Sequence, residues 1–187
     1  MPSPSSDIDI NAIAGNASGD IKHILGNPGA FFANRTGEEF SSPLFGESIQ
    51  NRLVVTEISV DKKEAEPKKL EGKVVLEIDV VEDMLNGGGN IHGGCSAFLI
   101  DLCSTLCMAA LSLTTTGNLN ANVSQSLNIV YHSPAGLGDK LRLINTTLTL
   151  GARAHSARTE IWNATHHRLV ASGVHIKMNP STPKSNL

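Results

Sequence analysis

The chain has 187 residues, 40% apolar and 18% charged, which suits one soluble domain with a real core and excludes disordered or collagen-like classes and two independent domains. Fifteen lysines and arginines against eighteen acids give a formal charge of -3, leaving no basic surplus to neutralise DNA or RNA phosphates, so nucleic acid is excluded as a partner class. The three cysteines crowd between positions 95 and 107, with Cys103 and Cys107 spaced i,i+4, a pattern that suits no disulfide framework and points to a reducing, cytoplasmic setting.

Residues 1–50 form an appendage rich in Ser, Gly, Asn and Pro, expected to be partly disordered and loose to about residue 18. It has neither the apolar run of a secretory signal nor the arginines of a transit peptide. Four of the five phenylalanines, Phe31, Phe32, Phe40 and Phe45, fall in it. They either cover an open edge of the core or line the mouth of a pocket, and covering is the expectation because burial is the commoner use of the residue.

From Arg52 the pattern changes. Residues 53–60 and 73–82 read as strands, with Val74, Leu76, Ile78 and Val80 alternating, and the charged run DKKEAEPKKLEG between them reads as a solvated hairpin tip. After the loop MLNGGGNIHGG comes a stretch, 95–113, too long for a strand and apolar nearly all round, as in a helix buried on most faces. A membrane span is disfavoured, because Asp101 and four Ser or Thr residues interrupt it and no Lys or Arg flanks it. Four β-branched segments follow, at 120–133, 139–150, 154–163 and 168–178, and their spacing predicts hairpins in an antiparallel sheet. The order strand, strand, helix, four strands is an α+β arrangement in which the sheet curls around one long central helix. The domain so defined runs from 51 to 179, with 180–187 as a flexible tail.

Asp101 is the one charged side chain of that helix, and no Lys or Arg occurs between Lys73 and Lys140. A carboxylate buried there needs hydrogen bonds, a distant cation such as Arg153 or Arg158, or a function. The glycine-rich loop fails as a nucleotide fingerprint, since His92 stands where a glycine is required and no Gly-Lys-Ser/Thr follows. What remains is Gly93-Gly94 in the first turn of the helix, where free backbone N–H groups meet the positive end of the dipole and can polarise a carbonyl oxygen. A tight strand-to-helix turn is the plainer reading of the same glycines.

The string N-x5-HGG-x6-D, here Asn86, His92-Gly93-Gly94 and Asp101, followed by VSQSLNIVYHSPA, resembles the hotdog-fold acyl-CoA thioesterases of the phenylacetyl-CoA thioesterase (PaaI) and thioesterase superfamily member 2 type. The likeness is specific over 84–136 and extends to 178, and it leaves the first 50 residues unexplained. It implies that the Gly93 N–H contacts the thioester carbonyl and that Asp101 is base or nucleophile. Asn86 would position the thioester or water, and Ser124 would hold the water. Thr105 matches a polar residue used by some relatives, and His92, beside Gly94 in the same substrate-binding turn, would be chiefly structural. Arg153, His155 and Lys177 are candidates for the CoA phosphates at the sheet surface, with a solvated strand face as the alternative.

The resemblance also implies a homodimer or homotetramer with sites shared between subunits, and no cofactor. No histidine has metal-ligand spacing with cysteine, so no metal is expected. A distance supports the sharing: eight residues of helix separate Gly93 from Asp101, about 12 Å at the helical rise, so one thioester reaches both only across a two-fold axis. The rival readings are a hotdog hydratase or dehydratase using His92 and Asp101, and a non-catalytic acyl-CoA binding protein.

Overall fold

Alternating burial in the C-terminal half lays one face of a sheet against a helix. In β4 (Lys140–Leu150) Leu141, Leu143, Asn145 and Thr147 are buried, and in β5 (Ala154–Asn163) His155, Ala157, Thr159 and Ile161. The computed structural model describes residues 9–33, 42–119 and 122–180. Its sheet has six antiparallel strands in the order β1-β2-β4-β5-β6-β3, completed by β1 (Val54–Lys63), β2 (Glu66–Asp79), β3 (Val123–Tyr131) and β6 (Arg168–Met178).

Two expectations are corrected here. The strands β1 and β2 run on until only Glu64 and Ala65 separate them, so the charged run is paired strand with a short turn. Its side chains stay solvated while the backbone pairs, with Lys63 bridging Glu66 at 2.9 Å. The segment after β3 is also no hairpin. β3 pairs with β6 at the sheet edge, while β4 lies between β2 and β5, so residues 132–139 cross the ends of two strands. Pro134 and Gly138 mark a break in the chain, but a break does not encode which strand comes next in space.

The central helix, α4 (Gly93–Thr116), starts two residues earlier than expected, with His92 as N-cap, and ends at Gly117 in the left-handed conformation, φ 70°. It is long and apolar enough to cross a membrane, yet 67% of its apolar window is buried inside the protein. Close approach to the sheet is set by glycines. A Cβ on Gly72 would lie 2.6 Å from the Cys107 carbonyl oxygen, and one on Gly173 would lie 3.1 Å from Ile100.

The appendage is more ordered than its composition suggests. Ile13 is buried and Ala14 makes a parallel bridge to Glu57 on the edge strand β1, so residues 9–18 dock and are not loose. Backbone pairing to an open strand edge explains this, since it needs no apolar side-chain pattern. Ile21 and Leu25 of α1 (Gly19–Leu25) and Ile49 of α3 (Glu47–Gln50) join the core. Phe31 and Phe32 on α2 (Pro28–Ala33) meet edge to face at 4.9 Å and pack against the core. Phe45 instead stays exposed. Phe40, residues 1–8 and the tail from 181 lie outside the described residues.

Candidate active site

The N-terminal end of α4 is made largely of backbone. The Asn86 side-chain oxygen accepts from Gly88 N–H at 2.9 Å and Asn90 N–H at 3.3 Å, which holds the glycine-rich loop and leaves the amide nitrogen of Asn86 for other partners. His92 Nδ1 accepts from Gly94 N–H at 2.9 Å, so His92 caps the helix and Gly94 has no donor left for a ligand. The Gly93 N–H has no acceptor among the described residues. Tyr131 of β3 covers this turn: its hydroxyl donates to the Gly93 carbonyl at 3.1 Å, and its ring lies 3.5 Å from where a Gly93 Cβ would be. Asn86, Asn90, Gly93, Tyr131 and His132 line a groove of about 420 Å³. The free N–H, the helix dipole and this opening together fit a carbonyl oxygen.

Two helical turns along α4, the second half of the site is made of side chains. Asp101 is 47% exposed, and its Oδ1 accepts from Ser124 Oγ at 2.9 Å. His175 of β6, fully buried, sets Nε2 at 3.1 Å from that oxygen and 3.0 Å from Ser124 Oγ, while its Nδ1 faces Ser104 Oγ at 2.7 Å. Burial lowers the His175 pKa to about 4, reinforced by Lys177 and opposed by the Asp101 carboxylate. The ring is therefore neutral at pH 7. The carboxylate can only accept, so the one ring proton sits on Nε2 and points at Asp101, while Nδ1 lies against the Ser104 hydroxyl, which also reaches the Asp101 carbonyl oxygen at 3.1 Å. The carboxylate thus has two donors on its inner side and an open outer side.

Thr105 donates to the Asp101 carbonyl at 3.0 Å and accepts from Lys177 Nζ at 3.0 Å. It buttresses the helix turn beneath Asp101. Lys177 and His155, expected at the sheet surface, are 6% and 2% exposed. Both occupy the helix-facing positions of their strands, paired directly across β5 and β6, so neither meets a phosphate at the outer surface. The His155 pKa is lowered by burial, and its Nδ1 lies 3.3 Å from the Asn122 amide. Arg153, by contrast, is exposed at the β4–β5 turn.

The structure therefore gathers Asn86, His92, Gly93 and Gly94 at one end of α4, and Asp101, Thr105 and Ser124 at a second place along it. His175 and Tyr131 are the members that sequence reasoning missed. Period-two alternation through Ala171, Gly173, His175 and Lys177 was the available signal for His175, because it puts a histidine on a face otherwise turned to the core.

Against known proteins, the thioesterase superfamily model matches residues 88–170. Human acyl-coenzyme A thioesterase 13 is 33% identical over 106 residues, 57% of this chain and 72% of that protein. The mouse protein of that name is 35% identical over 105 residues, 56% and 71% of the two chains. Zebrafish thioesterase superfamily member 2 superposes with a TM-score of 0.60 at 28% identity, over 75% of this chain and 89% of that one. The E. coli PaaI protein shares the fold, with a TM-score of 0.58 at 17% identity over 84% and 96% of the two chains. With its sheet curled around α4 and these relatives matched over more than two thirds of their length, the chain belongs to the thioesterase superfamily and has the hotdog fold.

Proposed function

We propose that this chain is an acyl-CoA thioesterase, an enzyme that hydrolyses an acyl-CoA thioester to the free acid and CoA. One observation carries the reading: an unoccupied Gly93 N–H at a helix N-terminus and an Asp101 carboxylate backed by Ser124 and His175, in a chain 33% identical to human acyl-coenzyme A thioesterase 13. The Gly93 N–H polarises the thioester carbonyl and the Asn86 amide nitrogen holds the thioester beside it. Asp101 takes a proton from water, or attacks the carbonyl itself, and Ser124 orients the water. Neutral His175 keeps a donor on the inner carboxylate oxygen, so the outer one faces the reaction. The released thiolate leaves as CoA, for whose phosphates Arg153 remains a candidate.

The two halves of one site come from different subunits of a homodimer or homotetramer. The helical spacing of about 12 Å supports this, and so does β3, an edge strand with Val123, Val130 and Tyr131 exposed. Three unpaired thiols support a cytoplasmic setting. The test is a panel of acyl-CoA esters with detection of the free thiol. Thiol release supports the assignment, a hydrated product without thiol release indicates a hydratase, and binding without turnover indicates a binding protein.

A further inference from the structure

The sheet ends in two edge strands, β1 and β3, and they differ. No strand pairs with the outer side of β3 among the described residues. The outer side of β1 is occupied by residues 14–17 of the appendage. Ala14 N–H donates to the Thr56 carbonyl at 2.9 Å, and the Ala14 carbonyl accepts from Ile58 N–H at 3.0 Å. Ala17 N–H donates to the Ile58 carbonyl at 3.2 Å. The Asn16 side chain acts as a further piece of backbone. Its oxygen accepts from Val60 N–H at 2.8 Å, and its nitrogen donates to the Val60 carbonyl at 3.1 Å and to Asp61 at 2.8 Å. The outward backbone groups from the Thr56 carbonyl to the Val60 carbonyl are thus satisfied without a strand being added.

The segment is shaped to stop there. Gly15 has φ +94°, and a Cβ on it would lie 2.2 Å from the Ile58 carbonyl oxygen, so only glycine fits. A regular strand laid on β1 would carry an unpaired edge of its own and move the open ladder outward by one strand. A left-handed glycine and a side-chain clamp present no further ladder. Buried Ile13, and Lys22, whose Nζ donates to the Ile13 carbonyl at 2.7 Å, hold the segment down. The stretch it covers is the one that needs covering. Residues 54–60 hold Val54, Val55, Ile58 and Val60 with no proline and one acid, the pattern of a strand prone to pair with copies of itself. Just beyond the cap stand Asp61, Lys62 and Lys63, charges that oppose strand addition by themselves.

We propose that residues 14–17 are an assembly stop. They occupy a second self-complementary surface, the β1 edge, whose other occupant is the β1 edge of a second copy of the chain, and so confine strand pairing between copies to β3. Closure gives the reason. A two-fold joint at β3 alone closes as a dimer, whereas joints at both β1 and β3 give each chain two neighbours and produce an open-ended row of sheets. This assignment rests on the homodimer reading of β3 and on no catalytic residue, so its test reads mass and exchange, not turnover.

The experiment uses the full-length chain. In the double variant Gly15→Val/Asn16→Ala, which adds the clash and removes the clamp, amide exchange at Ile58 and Val60 should speed up at least about tenfold. Its mean mass by light scattering should climb with concentration to more than about twice the wild-type value, while wild type keeps one mass. Adding Val60→Pro deletes an outward N–H, which an edge strand tolerates, and should return the mass to that of wild type. Freed amides with an unchanged mass overturn the proposal. So does wild-type protection in the double variant, and so does growth that Val60→Pro leaves in place, which assigns the joint to another surface. Where the double variant fails to fold, Asn16→Ala alone should show both changes in smaller measure, and their absence counts equally against the proposal. A monomeric wild type would strike the homodimer reading of β3 and leave the capped edge to be judged by the variants.

Discussion

The two ends of the site are built in opposite ways. At the start of α4 the functional group is a backbone N–H, exposed by a helix cap and fixed by Asn86, His92 and Gly94. Around Asp101 it is a carboxylate, fixed by Ser124 of β3 and His175 of β6, with Ser104, three residues on in α4, against the far side of the histidine ring. The first is a local device: nine residues from Asn86 to Gly94 contain nearly all of it. The second exists only once β3 and β6 have paired along the register Ser124↔Lys177 and Leu127↔His175. A dipole-backed N–H can be replaced by no side chain, while a carboxylate and its donors can be altered one by one. Mutation should therefore separate the two ends cleanly.

The largest effect belongs to Asp101. Asp101→Asn should keep its oligomer and lose on the order of 10²-fold or more in turnover, measured by thiol release; near-normal turnover would remove Asp101 from the mechanism. The comparison is sharpened by mixing. Asn86→Ala lesions the backbone end and Asp101→Ala the carboxylate end, and each alone should be nearly inactive. After co-refolding in equal amounts, roughly half the dimers are mixed and each mixed dimer has one intact site, so activity should return towards about a quarter of wild type. Mixed dimers seen by mass spectrometry without recovered activity would place both residues in one chain's site.

Next comes the pH dependence of His175. Its pKa is near 4 in the folded chain against 6.5 when exposed, so between these values the unfolded chain binds a proton that the folded chain refuses. Stability from this group is complete above pH 6.5 and falls on acidification to about pH 4, with a slope of up to about 1.4 kcal/mol per pH unit. His175→Gln keeps an amide donor near Asp101 and removes the titration. Its urea midpoint should therefore lose that part of the acid sensitivity, and an unchanged slope would show that His175 does not titrate as its burial requires.

This contrast also explains what was legible in the sequence. Asn86, His92, Gly93 and Asp101 stand at fixed spacings around a helix start, where geometry follows from residue number. The helix was readable from its length and its nearly all-round apolarity, and the six strands from alternation or β-branched composition between turn residues. The position of β3 was not, since pairing with β6 depends on the whole sheet. His175 and Tyr131 were missed for the same reason. Lys177 and His155 were misplaced because polar residues on a strand read as solvent-facing, whereas here they join a buried polar layer beneath Asp101. The docking of residues 9–18 was hidden because a backbone bridge such as Ala14 to Glu57 leaves no side-chain signature.

The smallest expected effect tests whether the backbone end is as self-contained as it looks. One peptide plane, from the Gly93 carbonyl to the Gly94 N–H, is held from both sides: Tyr131 donates to its oxygen at 3.1 Å and His92 accepts from its nitrogen at 2.9 Å. That plane adjoins the Gly93 N–H, so loosening it lets the donor drift from the carbonyl it polarises. Tyr131→Phe removes only the hydroxyl and keeps the ring over Gly93. The lost hydrogen bond corresponds to about 0.5–1.5 kcal/mol, hence a fall in kcat of roughly 2- to 12-fold if it all serves positioning. KM and melting temperature should stay close to wild type, because the ring contact and the fold are untouched. A change in KM alone would make Tyr131 a substrate contact, and unchanged kcat would mean that His92 by itself fixes the plane. Either result would leave the helix start a purely local device, as the spacing of Asn86, His92 and Gly93 first implied.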